Sequence, residues 1–160
     1  MKTLVAYFSY SGKTMACALA IANELKADVR EIRQKKEYKG FSVYIFGGRD
    51  SLQGRTVELV DPNFNLDGYD TIVLASPVWG FSAAAPIASF ARGCDLSGKK
   101  AVILLTMDGT PGKAVEKLSK IIVEKGGAVA GDVVVNRSRK SDEEVVKEAV
   151  DKVVKLIKGS

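Results

Sequence analysis

Hydroxyl-bearing side chains are concentrated near the start of the chain, in the segment Ser9–Thr14. Ser9, Ser11 and Thr14 carry three hydroxyls, and Gly12 permits a tight turn. A helical pattern follows, and the start of a helix attracts anions through its unpaired N–H groups and its dipole. Three hydroxyls beside such amides suit a phosphate monoester, which has three terminal oxygens. The alternative interpretation is a structural turn whose hydroxyls only cap the helix.

Two better-known phosphate motifs do not match this segment. A Walker A loop requires a glycine five positions before Gly12, and Tyr7 stands there. The dinucleotide pattern G-x-G-x-x-G is absent from the chain. The segment therefore predicts a phosphate site of a different kind.

The only tryptophan of the chain lies in a second segment of interest, residues 76–82, with the sequence Ser-Pro-Val-Trp-Gly-Phe-Ser. We expect this segment to be an exposed loop after a strand. Trp79 and Phe81 in such a loop indicate a platform for a planar ring. The alternative is that Trp79 only covers the edge of the core.

A third segment, residues 106–112, reads Thr-Met-Asp-Gly-Thr-Pro-Gly. Gly109 and Gly112 among short polar residues let backbone groups approach a ligand edge closely. Alone, this composition is typical of any turn. Together, the three segments predict a phosphate end, an aromatic wall and a polar backbone edge, which matches flavin mononucleotide (FMN).

The chain contains no histidine and two cysteines, Cys17 and Cys94. The absence of histidine excludes Ser-His-Asp and Cys-His nucleophilic catalysis and removes the commonest zinc ligand. The cysteines lie far apart and have no metal-ligand spacing, so we expect two buried or half-buried thiols and no metal site. Any chemistry is then expected to be carried by a cofactor.

Apolar strands alternate with amphipathic helices along the chain. We predict strands over 3–8, 28–33, 71–75, 100–106 and 128–135, and helices over 13–26, 86–92, 113–125 and 141–158. Ser141 and Glu144 form a capping box at the start of the last helix. This alternation predicts an α/β fold with a doubly wound parallel sheet, in a single domain over 1–160. Ligands of such sheets bind outside the carboxyl ends of the strands, which is where the three segments fall.

The stretch 34–67 fits this alternation least well. We interpret it as the second helix and an irregular connection, with a possible short strand over 56–60. Phe41, Tyr44 and Phe46 in this stretch could wall a substrate pocket.

At this point the chain resembles a flavodoxin. The resemblance rests on the first segment, the Pro-Val-Trp of the second, Ala85–Phe90, and the Asp-Leu-Ser-Gly-Lys-Lys that spans 95–100. It implies a flavodoxin-like three-layer sandwich, a five-stranded parallel sheet in the order 2-1-3-4-5, non-covalent FMN and electron transfer through the flavin.

The resemblance also implies roles for individual residues. The phosphate would be held by Ser9, Ser11, Gly12, Lys13, Thr14 and Met15. The ring would be flanked by Pro77, Val78, Trp79, Gly80 and Phe81. Its other edge would be lined by residues 106–112, among them Thr106, Met107, Asp108, Gly109 and Gly112. The Trp79–Gly80 peptide is the one expected to reorient when the flavin takes up an electron.

Two features depart from familiar flavodoxins. Those proteins are strongly acidic, whereas this chain has a net charge of +5. The positive net charge predicts that the protein as a whole lowers the reduction potential of the flavin less than an acidic flavodoxin does. It also predicts either acidic partners or a docking patch that depends less on charge. The small basic clusters, such as 137–140, are interpreted as solvated surface. The third segment lacks the acidic and aromatic pair of many short-chain flavodoxins, which puts ring stacking on that side in doubt.

The favoured function is a low-potential electron carrier between redox enzymes. The alternative is a flavodoxin-fold NAD(P)H-dependent quinone or flavin reductase, which would need space over the ring. A phosphoacceptor receiver is rejected because Ser9 and Ser76 stand where it needs acidic residues. Expected partners are redox proteins, including acidic or iron–sulfur proteins, and neither nucleic acid nor membrane. We expect a cytoplasmic monomer or weak dimer.

Overall fold

The computed structural model describes residues 1–37, 39, 42 and 47–159, without the side chains of 51 and 52. In this part of the chain the strands are β1 (Thr3–Tyr7), β2 (Asp28–Glu31), β3 (Thr71–Trp79), β4 (Ser82–Ala83), β5 (Lys100–Met107) and β6 (Ala128–Asn136). The helices are α1 (Lys13–Leu25), α2 (Gly48–Leu52), α3 (Ala85–Gly93), α4 (Ala114–Glu124) and α5 (Asp142–Lys158).

The five longer strands form one parallel sheet in the order β2-β1-β3-β5-β6. This confirms the predicted five-stranded sheet, because β5 and β6 are the fourth and fifth parallel strands. The two-residue strand β4 was not predicted. It pairs antiparallel with the end of β3 and lies off the main path of the sheet.

Helices cover both faces of the sheet and create two buried clusters. Alternate strand residues supply them, so that Leu4 contributes to one cluster and Val5 to the other. Helices α3 and α4 close the first cluster, for example with Phe90. Helices α1 and α5 close the second, for example with Ile21. The result is the expected three-layer sandwich.

The second segment is a strand extension and not the predicted loop. Strand β3 continues through residues 76–79, and Val78 and Trp79 pair with Ala83 and Ser82 of β4. The two residues between these strands, Gly80 and Phe81, have φ angles of 55° and 59°. Positive φ at both positions is the pattern of a type I′ hairpin turn. The sequence predicted a loop here because Pro77 has no backbone donor, which argues against a strand.

The stretch 34–67 contains less regular structure than predicted. Its helix in the described residues is the short α2, and the predicted strand over 56–60 is reduced to a single antiparallel bridge between Gln34 and Leu59. Phe41, Tyr44 and Phe46 lie outside the described residues. No helix in the described ranges is both long and apolar enough to cross a membrane.

Candidate cofactor site

The start of α1 offers backbone donors that its N-cap residue leaves unpaired. Gly12 caps the helix at φ 88° and makes no side-chain capping hydrogen bond. The first backbone bond of the helix runs from the Ala16 N–H to the Gly12 carbonyl at 3.0 Å. The amides of residues 13–15 therefore have no acceptor within the helix. The first turn holds no acidic residue, so nothing there repels an anion.

The hydroxyls of this loop serve different purposes. Ser9 accepts a hydrogen bond from the Gly12 N–H through its Oγ at 3.1 Å, which fixes the turn. Thr14 is buried, and its Oγ1 lies 2.8 Å from Oγ1 of Thr106 at the end of β5. The first and third segments are therefore joined directly.

A cavity of about 380 Å³ opens where the three segments meet. Its volume lies in the range of roughly 300–1,000 Å³ that is usual for small-molecule sites. The predicted residues that line it are Ser11, Thr14, Pro77, Val78, Trp79, Gly80, Thr106, Met107 and Asp108. The parallel strand order brings all three segments to one site, as expected for this edge of the sheet.

The other predicted site residues lie outside the wall of this cavity, and they are Ser9, Gly12, Lys13, Met15, Phe81, Gly109 and Gly112. The Nζ of Lys13 lies 2.6 Å from each carboxylate oxygen of Asp142, at the start of α5. Its charge is therefore engaged on the far side of the loop. The side chain of Met15 is exposed.

Trp79 forms part of an aromatic group at the mouth of the cavity. Its ring makes edge contacts with Phe8 and Tyr10, at centroid distances of 5.2 Å and 6.1 Å. On the β2 side, Trp79 also lines a second cavity of about 240 Å³, together with Glu31 and Arg33. The single tryptophan thus borders two adjoining spaces.

Phe81 and Gly112 connect the hairpin to the third segment. A Cβ placed on Gly112 would lie 2.7 Å from the Phe81 Cβ, closer than side chains pack. Glycine at 112 is required both for this approach and for its φ of 53°. The side chain of Phe81 is otherwise 54% exposed.

Sequence reasoning missed three residues of the cavity wall, Tyr10, Gly48 and Arg137. Arg137 donates from Nη2 to Oδ2 of Asp108 at 2.6 Å, and Asn136 beside it donates to the Gly109 carbonyl at 3.1 Å. The end of β6 therefore holds the third segment in place. The signal was available, because Arg137 follows Val133 and Val135 in strand alternation and so shares their face.

Both cysteines are buried, as expected. Burial raises the pKa of the Cys17 thiol to about 11, and the positive charge of Arg137 offsets part of this shift. Burial likewise raises the pKa of Cys94 to about 12. Both thiols are protonated at neutral pH and are poor nucleophiles.

The comparison with known families agrees with the fold. The sequence model of the flavodoxin family matches residues 2–153, and the chain belongs to that family. No curated protein sequence matches the chain significantly.

Solved structures extend this comparison. A "Putative flavoprotein" from Bacteroides uniformis has 25% identity and a TM-score of 0.75, with coverage of 91% of this chain and 96% of that one. A flavoprotein from Lactobacillus acidophilus in complex with FMN has 25% identity and a TM-score of 0.65, with coverage of 92% and 98%. An azoreductase from Bacillus anthracis shares the fold at 15% identity and a TM-score of 0.62, with full coverage of both chains.

Proposed function

We propose that this chain binds FMN non-covalently in the cavity between the three segments and carries electrons between redox proteins. The observation that carries the proposal is the meeting of hydroxyl, amide and aromatic groups in one cavity of suitable size. Family membership supports it, as does the FMN complex of the Lactobacillus acidophilus flavoprotein.

The residues present fit FMN by their chemistry. The unoccupied amides of residues 13–15, with Ser11 and Thr14, suit the phosphate. Trp79 supplies an aromatic wall for the ring. Met107 and Asp108 also line the cavity, and their backbone groups suit the polar edge of the ring. The bound flavin supplies the redox chemistry, while the chain binds it, orients it and limits its contact with water.

The surface around the cavity supports electron exchange with another protein. Tyr10 lines the cavity and Phe81 follows the lining residue Gly80, and their side chains are 51% and 54% exposed, so they form an aromatic rim on one side of the site. Such a rim suits transient docking, in which a partner approaches the flavin without a substrate pocket between them. The chain also has no histidine to act as a general acid or base.

A second candidate is an NAD(P)H-dependent quinone or flavin reductase. The observation in its favour is the second cavity beside Trp79. Glu31, Arg33 and Gln34 also line this cavity. A second substrate next to the flavin would need such a space. Its volume of about 240 Å³ is below the usual range for drug-sized ligands.

Reductive titration separates the two candidates. The protein is reconstituted with FMN and mixed anaerobically with NADH or NADPH, with and without a catalytic amount of a flavodoxin reductase. The carrier function predicts slow bleaching of the flavin by NAD(P)H alone and rapid bleaching when the reductase is added. Rapid bleaching by NAD(P)H alone would contradict it and favour the second candidate.

A further inference from the structure

We infer that Arg137 is the cationic partner of the flavin phosphate and lets the site select FMN over riboflavin, which lacks the phosphate. The inference rests on the proposed binding of FMN in this cavity. Among the residues that line the cavity in the described part of the chain, Arg137 is the one lysine or arginine. The resemblance to flavodoxins placed Lys13, and not Arg137, among the residues expected to hold the phosphate.

Strand alternation places Arg137 on the face of the sheet that α1 covers. Val133 and Val135 pack in the cluster closed by α1 and α5, and Arg137 is the next residue of that series. Its N–H donates to the Met107 carbonyl at 2.8 Å, so the backbone stays in register with β5 to this point. Thr106 of β5 lies against Thr14 of α1. The side chains of Arg137 and Thr106 therefore converge on the start of α1.

The effect of Arg137 on Cys17 agrees with this position. Cys17 lies within the second turn of α1, and the charge of Arg137 acts on its thiol. The positive charge of Arg137 therefore acts on the N-terminal part of α1, the same part whose free amides are proposed to bind the phosphate.

The guanidinium group has more donors than the structure satisfies. Nη2 binds Asp108, whereas Nε is buried and has no acceptor among the described residues. The side chain of Arg137 is 27% exposed and that of Asp108 is 58% exposed. A mostly buried guanidinium with an unsatisfied donor is unfavourable unless an anion joins it. Phosphate oxygens are acceptors that match its fork of N–H groups.

Lys13 is not equivalent to Arg137. Its ammonium group already contacts both oxygens of Asp142, outside the cavity wall. A phosphate in the cavity would have to compete with that carboxylate for Lys13. Asp108, by contrast, is a negative group inside the wall, and Arg137 offsets its repulsion of a bound dianion.

Flavin affinities of the full chain test this role. Dissociation constants for FMN and for riboflavin are measured by flavin fluorescence at one ionic strength, for wild type, Arg137→Gln and Arg139→Gln. Arg139→Gln is the matched control, because it removes the same charge two residues away on an exposed side chain outside the cavity. We expect Arg137→Gln to weaken FMN binding about tenfold or more and to leave riboflavin within about twofold. The control is expected to change neither affinity.

Asp108→Asn gives a second and opposite test that leaves the arginine in place. It is expected to tighten FMN binding and not riboflavin binding, because it removes a negative charge beside the phosphate. The inference would be overturned if Arg137→Gln left the ratio of the FMN and riboflavin dissociation constants unchanged, whether or not both affinities fell. If Arg137→Gln does not fold, an unchanged ratio in Asp108→Asn overturns it. If the wild-type protein binds FMN and riboflavin equally well, the inference about Arg137 is overturned but the proposed binding of FMN is not. If it binds neither flavin, the proposed function is contradicted as well.

Discussion

The hydroxyl groups of Thr14 and Thr106 lie 2.8 Å apart in the buried interior of the site. This bond joins the first turn of α1 to the carboxyl end of β5. Both side chains are nearly inaccessible to solvent, so each hydroxyl depends mainly on the other for its hydrogen bond. The bond therefore sets the distance between the proposed phosphate loop and the third segment.

Replacing one of these threonines by valine is expected to destabilise the fold. Thr14→Val or Thr106→Val keeps the shape but leaves a buried hydroxyl without its partner, at a cost of about 1–3 kcal/mol. The double variant is expected to cost less than the sum of the two single variants, because two apolar groups of the same shape replace both partners. Denaturant unfolding of the four proteins measures the coupling. Additive losses would show that the two hydroxyls do not interact.

The contact between Gly112 and Phe81 predicts unequal effects at two glycines of the third segment. Gly109 and Gly112 both have positive φ angles, 103° and 53°. A Cβ on Gly112 would meet Phe81, whereas one on Gly109 would meet no atom of the described residues within 4 Å. Gly109→Ala should therefore lose only the backbone preference, about 1–3 kcal/mol. Gly112→Ala should lose more stability and also weaken FMN binding, because the hairpin that carries Trp79 is displaced. Equal losses in thermal unfolding would contradict the packing role of Phe81.

The buried thiols predict a loss of stability in alkaline solution. In the unfolded chain a thiol ionises at a pKa of about 8.5, whereas the folded pKa values of Cys17 and Cys94 are about 11 and about 12. Above pH 8.5 the unfolded state releases protons that the folded state keeps, so the free energy of unfolding falls as pH rises toward 11. The variant Cys17→Ala/Cys94→Ala should show a shallower fall over this range. Identical slopes for variant and wild type would contradict the burial of the thiols.

Lys13 is expected to matter less than its place in the loop implies. Its pair with Asp142 is solvent-exposed, with side chains 40% and 71% accessible, and such pairs contribute about 0–1 kcal/mol to stability. Because the ammonium group of Lys13 contacts Asp142 and lies outside the cavity wall, Lys13→Gln should weaken FMN binding by less than about threefold, well below the effect of Arg137→Gln. If parallel titrations showed that Lys13→Gln loses more FMN affinity than Arg137→Gln, Lys13 would be the residue that binds the phosphate.

The parallel sheet could be predicted because its central strands β1, β3 and β5 are buried along most of their length, whereas its strand order came from the resemblance to flavodoxins. Continuous apolar runs such as 71–75 and 100–106 indicate such strands, and the helices between them have recognisable start and end signals. Ser141 with Glu144 is the best case, since the expected capping box is present. The three loops could be assigned to one site because ligands of open parallel sheets bind outside the carboxyl ends of the strands, where all three loops follow.

Other features depended on contacts between distant residues. Arg137 belongs to a basic cluster and was interpreted as surface, although strand alternation directs it inward. Lys13 follows the loop glycine, but a carboxylate 129 residues away captures its charge. The hairpin of β3 and β4 contains a proline and a non-glycine residue at positive φ, which both argue against a strand and tight turn.

The most direct test of FMN binding at this site uses Trp79, the only tryptophan of the chain. Tryptophan fluorescence is followed while FMN is added to the flavin-free protein, and flavin fluorescence is followed in the reverse titration. We predict that both signals are quenched with one saturation point at one FMN per chain, because the flavin lies in the cavity that Trp79 lines. FMN binding that leaves Trp79 fluorescence unchanged, or no binding at all, would contradict the site described.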